Sequence, residues 1–284
     1  MTTSFAAALA ETRPRENVLV WTLGGEGIST SYGSNCTAVV GMTAVLLVDP
    51  FIAPVYARRV EQSLREKTSV PLRHVLLSHH HSDHALGAGW FASRGVEVIA
   101  HPACRDAMAA EHPGLVAARR RQPELADLFG DAEPYLPSRT CDEEWTLDLG
   151  GTEVRVLHPG HNHTAGDLVA HLPRESVLVC GDLVSAGYHV NYEDAIPANL
   201  GRGLESLRAF DARTLVPGHG AWGGPELLDR QSRYHSAIRD TARSAADLAT
   251  AISRIRSLFP GYLLEEVLPS GLESGSFVVR GTKD

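Results

Sequence analysis

The segment LLSHHHSDHALGAG, residues 76–89, gathers His79, His81, Asp83 and His84 within six positions. Neutral imidazole and carboxylate together make a good ligand set for zinc and similar divalent ions. His79 and His81 lie two apart, so in an extended turn leaving a strand they can point the same way. Asp83 continues that alternation and His84 faces differently, which supplies two neighbouring half-sites. A cation held there acidifies water and stabilises negative charge as it develops. A chance surface patch, in a chain with 14 histidines, is the competing reading. Four ligand-type residues placed where an apolar strand ends weigh against it.

Two half-sites need more ligands, and similar strand ends offer them. HPGHNHTAGDL (158–168) follows an apolar run and carries His158, His161 and His163. SVLVCGDLV (176–184) places Asp182 after an apolar stretch, and TLVPGHG (214–220) places His219 just past another. Each is weak alone; their recurrence at one structural position carries the case. Ligands at several strand ends can converge on one sheet edge, as in open α/β architectures generally.

The elements behind these residues read as strands at 17–23, 35–41, 43–49, 73–78 and 96–100, rich in β-branched and apolar residues and bounded by turn formers. Helical periodicity marks 54–68, and helical character marks 85–95 and 102–111. Residues 112–142, with Arg119-Arg120-Arg121 and several prolines, read as a helical insertion that could cover the site, its arginines on a solvated face. Four more short strands follow from 145. A helix near 199–210 precedes TLVPGHG, and one or two helices follow Pro225. This order predicts an α/β fold, two sheets packed together with helices outside. A single domain over 1–284 is expected, with a helical C-terminal extension from about 226 whose Leu227, Leu228, Tyr234 and Ile238 read as core packing, with a homodimer contact as the alternative. The tail SGLESGSFVVRGTKD would add an edge strand or be mobile.

H-x-H-x-D-H, a later His-Thr, a Gly-Asp and a Pro-Gly-His-Gly, in this order, resemble the metallo-β-lactamase superfamily over residues 17–235. The resemblance implies a four-layer αββα sandwich of two mixed β-sheets flanked by helices, with metal ions at one sheet edge. It implies His79, His81 and His163 on a first ion, Asp83, His84 and His219 on a second, and Asp182 bridging both. Zn2+ is the expected metal, two ions per chain, with iron or manganese as alternatives. Many relatives read Pro-Gly-Pro-Gly-His-Thr where this chain has Pro159-Gly160-His161-Asn162-His163-Thr164. His163 precedes the threonine and is the ligand; His161 becomes a substrate-facing candidate. One subclass of secreted lactamases has cysteine where this chain has Asp182, and Cys180 reads as a packed core thiol.

Such a site implies hydrolysis of a small carbonyl compound (thioester, lactone, ester or lactam) by a metal-bridging hydroxide, with Asp83 also steering or accepting a proton. Tyr188, His189 and Tyr192, just after Asp182, are further substrate-contact candidates. Phosphodiester hydrolysis and iron-dependent redox chemistry are the alternatives within the superfamily. With 284 residues, 43% hydrophobic and 21% charged, the chain can bury a large core. A net charge of −8 argues against a nucleic-acid partner without excluding a small anionic substrate. Four scattered cysteines form no disulfide framework, no run is long enough to span a membrane, and no secretory signal stands out. A cytoplasmic location is expected.

Overall fold

A computed structural model describes residues 8–273. It opens with β1 (Leu9–Arg15), β2 (Val18–Leu23), β3 (Asn35–Val40), β4 (Val45–Val48), α1 (Pro54–Arg65) and β5 (Leu72–Leu76). Next come α2 (Ser82–Ala85), α3 (Gly89–Ala92), β6 (Glu97–Ala100), α4 (Pro102–Arg120), α5 (Ala126–Phe129) and β7 (Arg139–Thr140). The second sheet uses β8 (Glu144–Asp148), β9 (Glu153–Leu157), β10 (Val169–Leu172), β11 (Val177–Ser185) and β12 (Thr214–His219). Around it lie α6 (Pro197–Arg208), α7 (Glu226–Ser244), α8 (Leu248–Leu258) and α9 (Leu268–Glu273).

The first sheet runs β1 to β7 in sequence order, antiparallel from β1 to β4 and parallel from β4 to β7. The second runs β12-β11-β10-β9-β8, with only β11 and β12 parallel. Continuous apolar strands follow from burial on both faces. In β2, Leu19, Trp21 and Leu23 pack under α1 and α4, while Val18 and Val20 meet the second sheet. In β11, Val177 and Val179 face the first sheet, and Leu178 and Cys180 face α6 and α7. The architecture is the expected αββα sandwich of two mixed sheets.

The structure departs from the sequence reading at several elements. β1, LAETRPR, is an exposed edge strand carrying Pro14, and its polar pattern gave no strand signal. The helix expected to end at 111 continues through Pro113 to Arg120. Its buried face is Cys104, Met108, His112, Val116 and Arg119, so Arg119 is not solvated as expected. Residues 85–95 form short kinked turns rather than one helix. α7, α8 and α9 share a small core with Val190, Tyr192 and Leu200. The tail expectation beyond Glu273 lies outside the described residues. Among those residues no helix is long and apolar enough to cross a membrane.

Candidate metal centre

The parallel strands β4, β5, β11 and β12 end at one edge, and each delivers a polar residue there. Asp49 follows β4 and organises the turn after β5. Its Oδ1 accepts the Ser78 N–H at 2.7 Å, and its Oδ2 accepts the Ser78 hydroxyl at 2.6 Å and His84 Nδ1 at 3.2 Å. His79 Nδ1 lies 2.9 Å from Ser78 Oγ, whose proton goes to Asp49, so the imidazole donates there. His81 Nε2 donates to Asp194 Oδ2 at 2.9 Å, and His219 Nδ1 donates to the Tyr32 carbonyl at 3.0 Å. One nitrogen of each of these four rings is thus held as a donor. The other keeps its lone pair, which is the tautomer a metal ligand needs.

Those free nitrogens converge. His81 Nδ1 is 3.0 Å from His163 Nε2, and His84 Nε2 is 3.3 Å from His219 Nε2. Asp182 sits between the pairs. Its Oδ2 lies 3.2 Å from His219, 3.6 Å from His163 and 3.9 Å from His79, and its Oδ1 lies 3.2 Å from His84. Asp83 Oδ2 is 3.4 Å from both His84 and His219. Among the described residues three groups could hold a metal ion, each with ligand atoms within 4.8 Å of one another: His79–His81–His163–Asp182 and Asp83–His84–His219, which Asp182 joins, and a more exposed His80–His81–Asp194 beside them. His79 Nε2 and Asp182 Oδ1 are buried without a hydrogen-bond partner. Buried acceptors facing one another repel unless a proton or cation lies between them. This donor set fits divalent metal ions.

The electrostatics differ between the first two groups, with neutral imidazoles at His79 and His163 in the first and a pull on positive charge in the second. Burial pushes His79 well below its usual pKa and His163 down to about 3, so both are neutral donors at ordinary pH. Burial also opposes charge on His84 and His219, but Asp182 and Asp83 outweigh it and raise both. Burial alone would raise the Asp182 carboxyl; His219 and His84 instead hold it well below the carboxylate range. The bulge that aims Asp182 is local: β11 slips against β12 on either side of Gly181, which takes φ +52°.

His163 stands on a loop held by Asp167, which accepts the backbone N–H groups of Asn162, His163 and Thr164 and the Thr164 hydroxyl. Ser31 and Ser34 hydroxyls both reach the Asp83 carbonyl, at 2.9 and 3.0 Å. Ser31 and Tyr32 each adopt φ +52°, a strained turn that presents the Tyr32 carbonyl to His219. A cavity of about 360 Å³ opens over the edge, lined among others by Tyr32, Asp83, Arg119, Asp182, His189 and His219.

The proposed substrate contacts divide. His189 lines this cavity, its Nδ1 on the Tyr234 hydroxyl at 2.9 Å. Tyr188 packs its ring 5.6 Å from His219 and bonds the Gly25 carbonyl instead of lining it. Tyr192 is buried beneath the C-terminal helices with its hydroxyl on His235. His161 donates to the Asp194 carbonyl and borders a separate cavity of about 140 Å³. The sequence reading missed Asp49, Asp167, Asp194 and Arg119. Only Asp49 carried the signal used elsewhere, a carboxylate directly after an apolar strand.

The metallo-β-lactamase superfamily model matches residues 30–219. The chain is 25% identical over 218 residues to metallo-β-lactamase type 2 of Bacillus sp. strain 170, covering 75% of this chain and 77% of that protein. It is 34% identical over 144 residues to hydroxyacylglutathione hydrolase of Acidiphilium cryptum, covering 50% and 47%. It is 27% identical to the 2,4-dinitroanisole O-demethylase subunit alpha of Nocardioides sp. strain JS1661, covering 64% of this chain but only 51% of that subunit. The chain thus spans about half the length of some of these relatives. In structure it resembles a metallo-β-lactamase from Pontibacter korlensis, with TM-score 0.68 at 22% identity, covering 81% of this chain and 99% of that one. Sequence and fold agree over the segment that carries the converging ligands, and the chain belongs to the metallo-β-lactamase superfamily.

Proposed function

We propose that the chain is a zinc-dependent hydrolase of a small carbonyl substrate: a thioester, lactone, ester or lactam. The observation that carries this reading is the Asp182 carboxylate, with oxygens facing both imidazole groups at 3.2–3.9 Å. His79, His81 and His163 would hold one ion, Asp83, His84 and His219 the other, and Asp182 would serve both. Bound there, the ions supply a water acidified towards neutrality and a Lewis acid for the carbonyl. Asp83, which lines the cavity, takes the proton of the attacking water. The water oxygen bonds to the carbonyl carbon, the bond to the leaving oxygen, sulfur or nitrogen breaks, and the proton passes to that atom. The names of the hydroxyacylglutathione hydrolase and of a 26% identical thioesterase of Aspergillus aculeatus support carbonyl substrates.

The test combines metal analysis with turnover. Purified protein should carry about two equivalents of zinc. It should hydrolyse at least one of a panel of thioesters, lactones, aryl esters and a chromogenic cephalosporin, and lose that activity to a chelator. Iron in place of zinc, or turnover of a bis-phosphodiester dye or of 2,4-dinitroanisole with no carbonyl hydrolysis, would overturn the reading.

A further inference from the structure

Arg119 is only 8% exposed, yet it lines the cavity above the metal centre. One arm is engaged: Nη2 donates to Ser82 Oγ at 3.0 Å, and the guanidinium lies 4.9 Å from the Phe129 ring. The other arm, Nη1, is buried without a hydrogen-bond partner. Among the described residues no carboxylate oxygen lies within 4 Å of it. Three more exposed arginines, Arg58, Arg120 and Arg208, pair with Asp131, Glu133 and Asp229. The most enclosed guanidinium of this group is therefore the one lacking a counter-ion.

A buried, unpaired guanidinium is costly, and the cost falls when an anion supplies charge and acceptors together. Arg119 is the one arginine or lysine among the described residues that line this cavity. Its hydrogen-bond partner Ser82 lies between His81 and Asp83 in the chain, so an anion held here belongs to the molecule whose carbonyl reaches the centre. Leu115, Leu264 and Val267 provide apolar wall for a short hydrocarbon spacer. Glu111, Glu193 and Glu266 also line the cavity, which disfavours a dianionic phosphate relative to a singly charged group. The planar guanidinium suits a carboxylate.

We propose that Arg119 anchors a substrate carboxylate, so that the preferred substrates are esters or thioesters whose acyl part also carries a free acid. The inference rests on the hydrolase reading and narrows its substrate class. The test uses paired thioesters, the mono-thioester of glutaric acid and its neutral pentanoyl analogue, with metal-loaded protein. Wild type should favour the acidic member in kcat/KM by about tenfold or more. Arg119→Met should lower the acidic-to-neutral ratio of kcat/KM by roughly 10–100-fold, with Arg119→Lys recovering part of that ratio. Equal use of both by wild type, or an equal loss on both in Arg119→Met, overturns the proposal. Should Arg119→Met fail to fold, the wild-type ratio and Arg119→Lys still decide. If no carbonyl substrate turns over, the hydrolase reading fails separately, and calorimetry with pentanoate against pentanamide judges the anchor. Pentanoate binding by metal-loaded wild type that Arg119→Met or Arg119→Lys weakens sustains it. Binding that survives unchanged places the carboxylate on the cations, and absent binding leaves Arg119 without its ligand; either result sinks the anchor.

Discussion

Gly218 shows how little room the centre leaves around its shared carboxylate. A methyl group built on it would overlap Asp182 Oδ1, so Gly218→Ala must displace the residue that faces both imidazole groups. Chelator competition should find metal affinity lower by tenfold or more, with secondary structure unchanged by circular dichroism; wild-type affinity would refute this account of Asp182. Asp49 acts one bond further out, fixing Ser78 and His84 together. Asp49→Asn keeps the shape but loses an acceptor, and a 10–100-fold loss of affinity is expected in the same assay. Asp83→Asn separates two roles of one side chain. Rate per bound metal should fall about 10²-fold or more while most of the metal stays, read by turnover beside metal analysis. Intact turnover per metal would reduce Asp83 to a ligand. The candidate ligands were legible because they share residue type and position after apolar strands. Asp167 and Asp194 were not, since a carboxylate that supports another residue's loop or ring has no spacing rule. Only folding brings Asp194 beside His81, 113 residues away in the chain.

Helix α4 explains why one wall of the cavity stayed illegible. Its inward residues recur at helical spacing, but they are Cys104, Met108, His112, Val116 and Arg119, a mixture that hides the apolar stripe. β1 was missed for the opposite reason, being a polar edge strand defined by its partner β2 rather than by its own pattern. β4, β11 and β12 were plain because burial on both faces selects largely apolar runs. On α7 a relay tests how a helix is tied to the loop after β11. The Ser185 N–H donates to Gln231 Oε1, leaving the Gln231 amide to donate to His235 Nε2 at 3.1 Å. His235 Nδ1 then donates to the Tyr192 hydroxyl, so a proton added at Nε2 would face another N–H. Burial pushes His235 down to about 3. The unfolded chain takes up that proton near pH 6.5, so this position favours unfolding progressively as pH falls from about 6.5 towards 3. Thermal melts should show His235→Gln with a shallower loss of Tm between pH 7.5 and 5 than wild type; parallel profiles would remove His235 from the account.

Across the whole molecule the centre joins the two sheets. His79, His81 and His84 leave the first sheet, Asp182 and His219 belong to the second, and Asn35 ties them again through the Pro217 and Gly220 carbonyls. A ligand that binds only the folded form adds about 2.7 kcal/mol at a hundredfold excess over its Kd. Chelation should therefore lower Tm by several degrees, and metal restored at increasing concentration should raise it in step; a Tm indifferent to metal would mean that ions do not bridge the sheets. The layering itself was readable from the order of strands and helices, whereas Arg119 and the strained turn at Ser31 and Tyr32 became visible only once both layers were assembled. Division of the ligands also sets a schedule. His84 and His219 are separated by 135 residues, which take on the order of ten seconds to synthesise. A nascent chain carries at first only the loose chelate at 79–84. Completion of the Asp83–His84–His219 group thus waits until β12 has left the ribosome and docked beside β11, so metal uptake at that group would signal that the two halves have met.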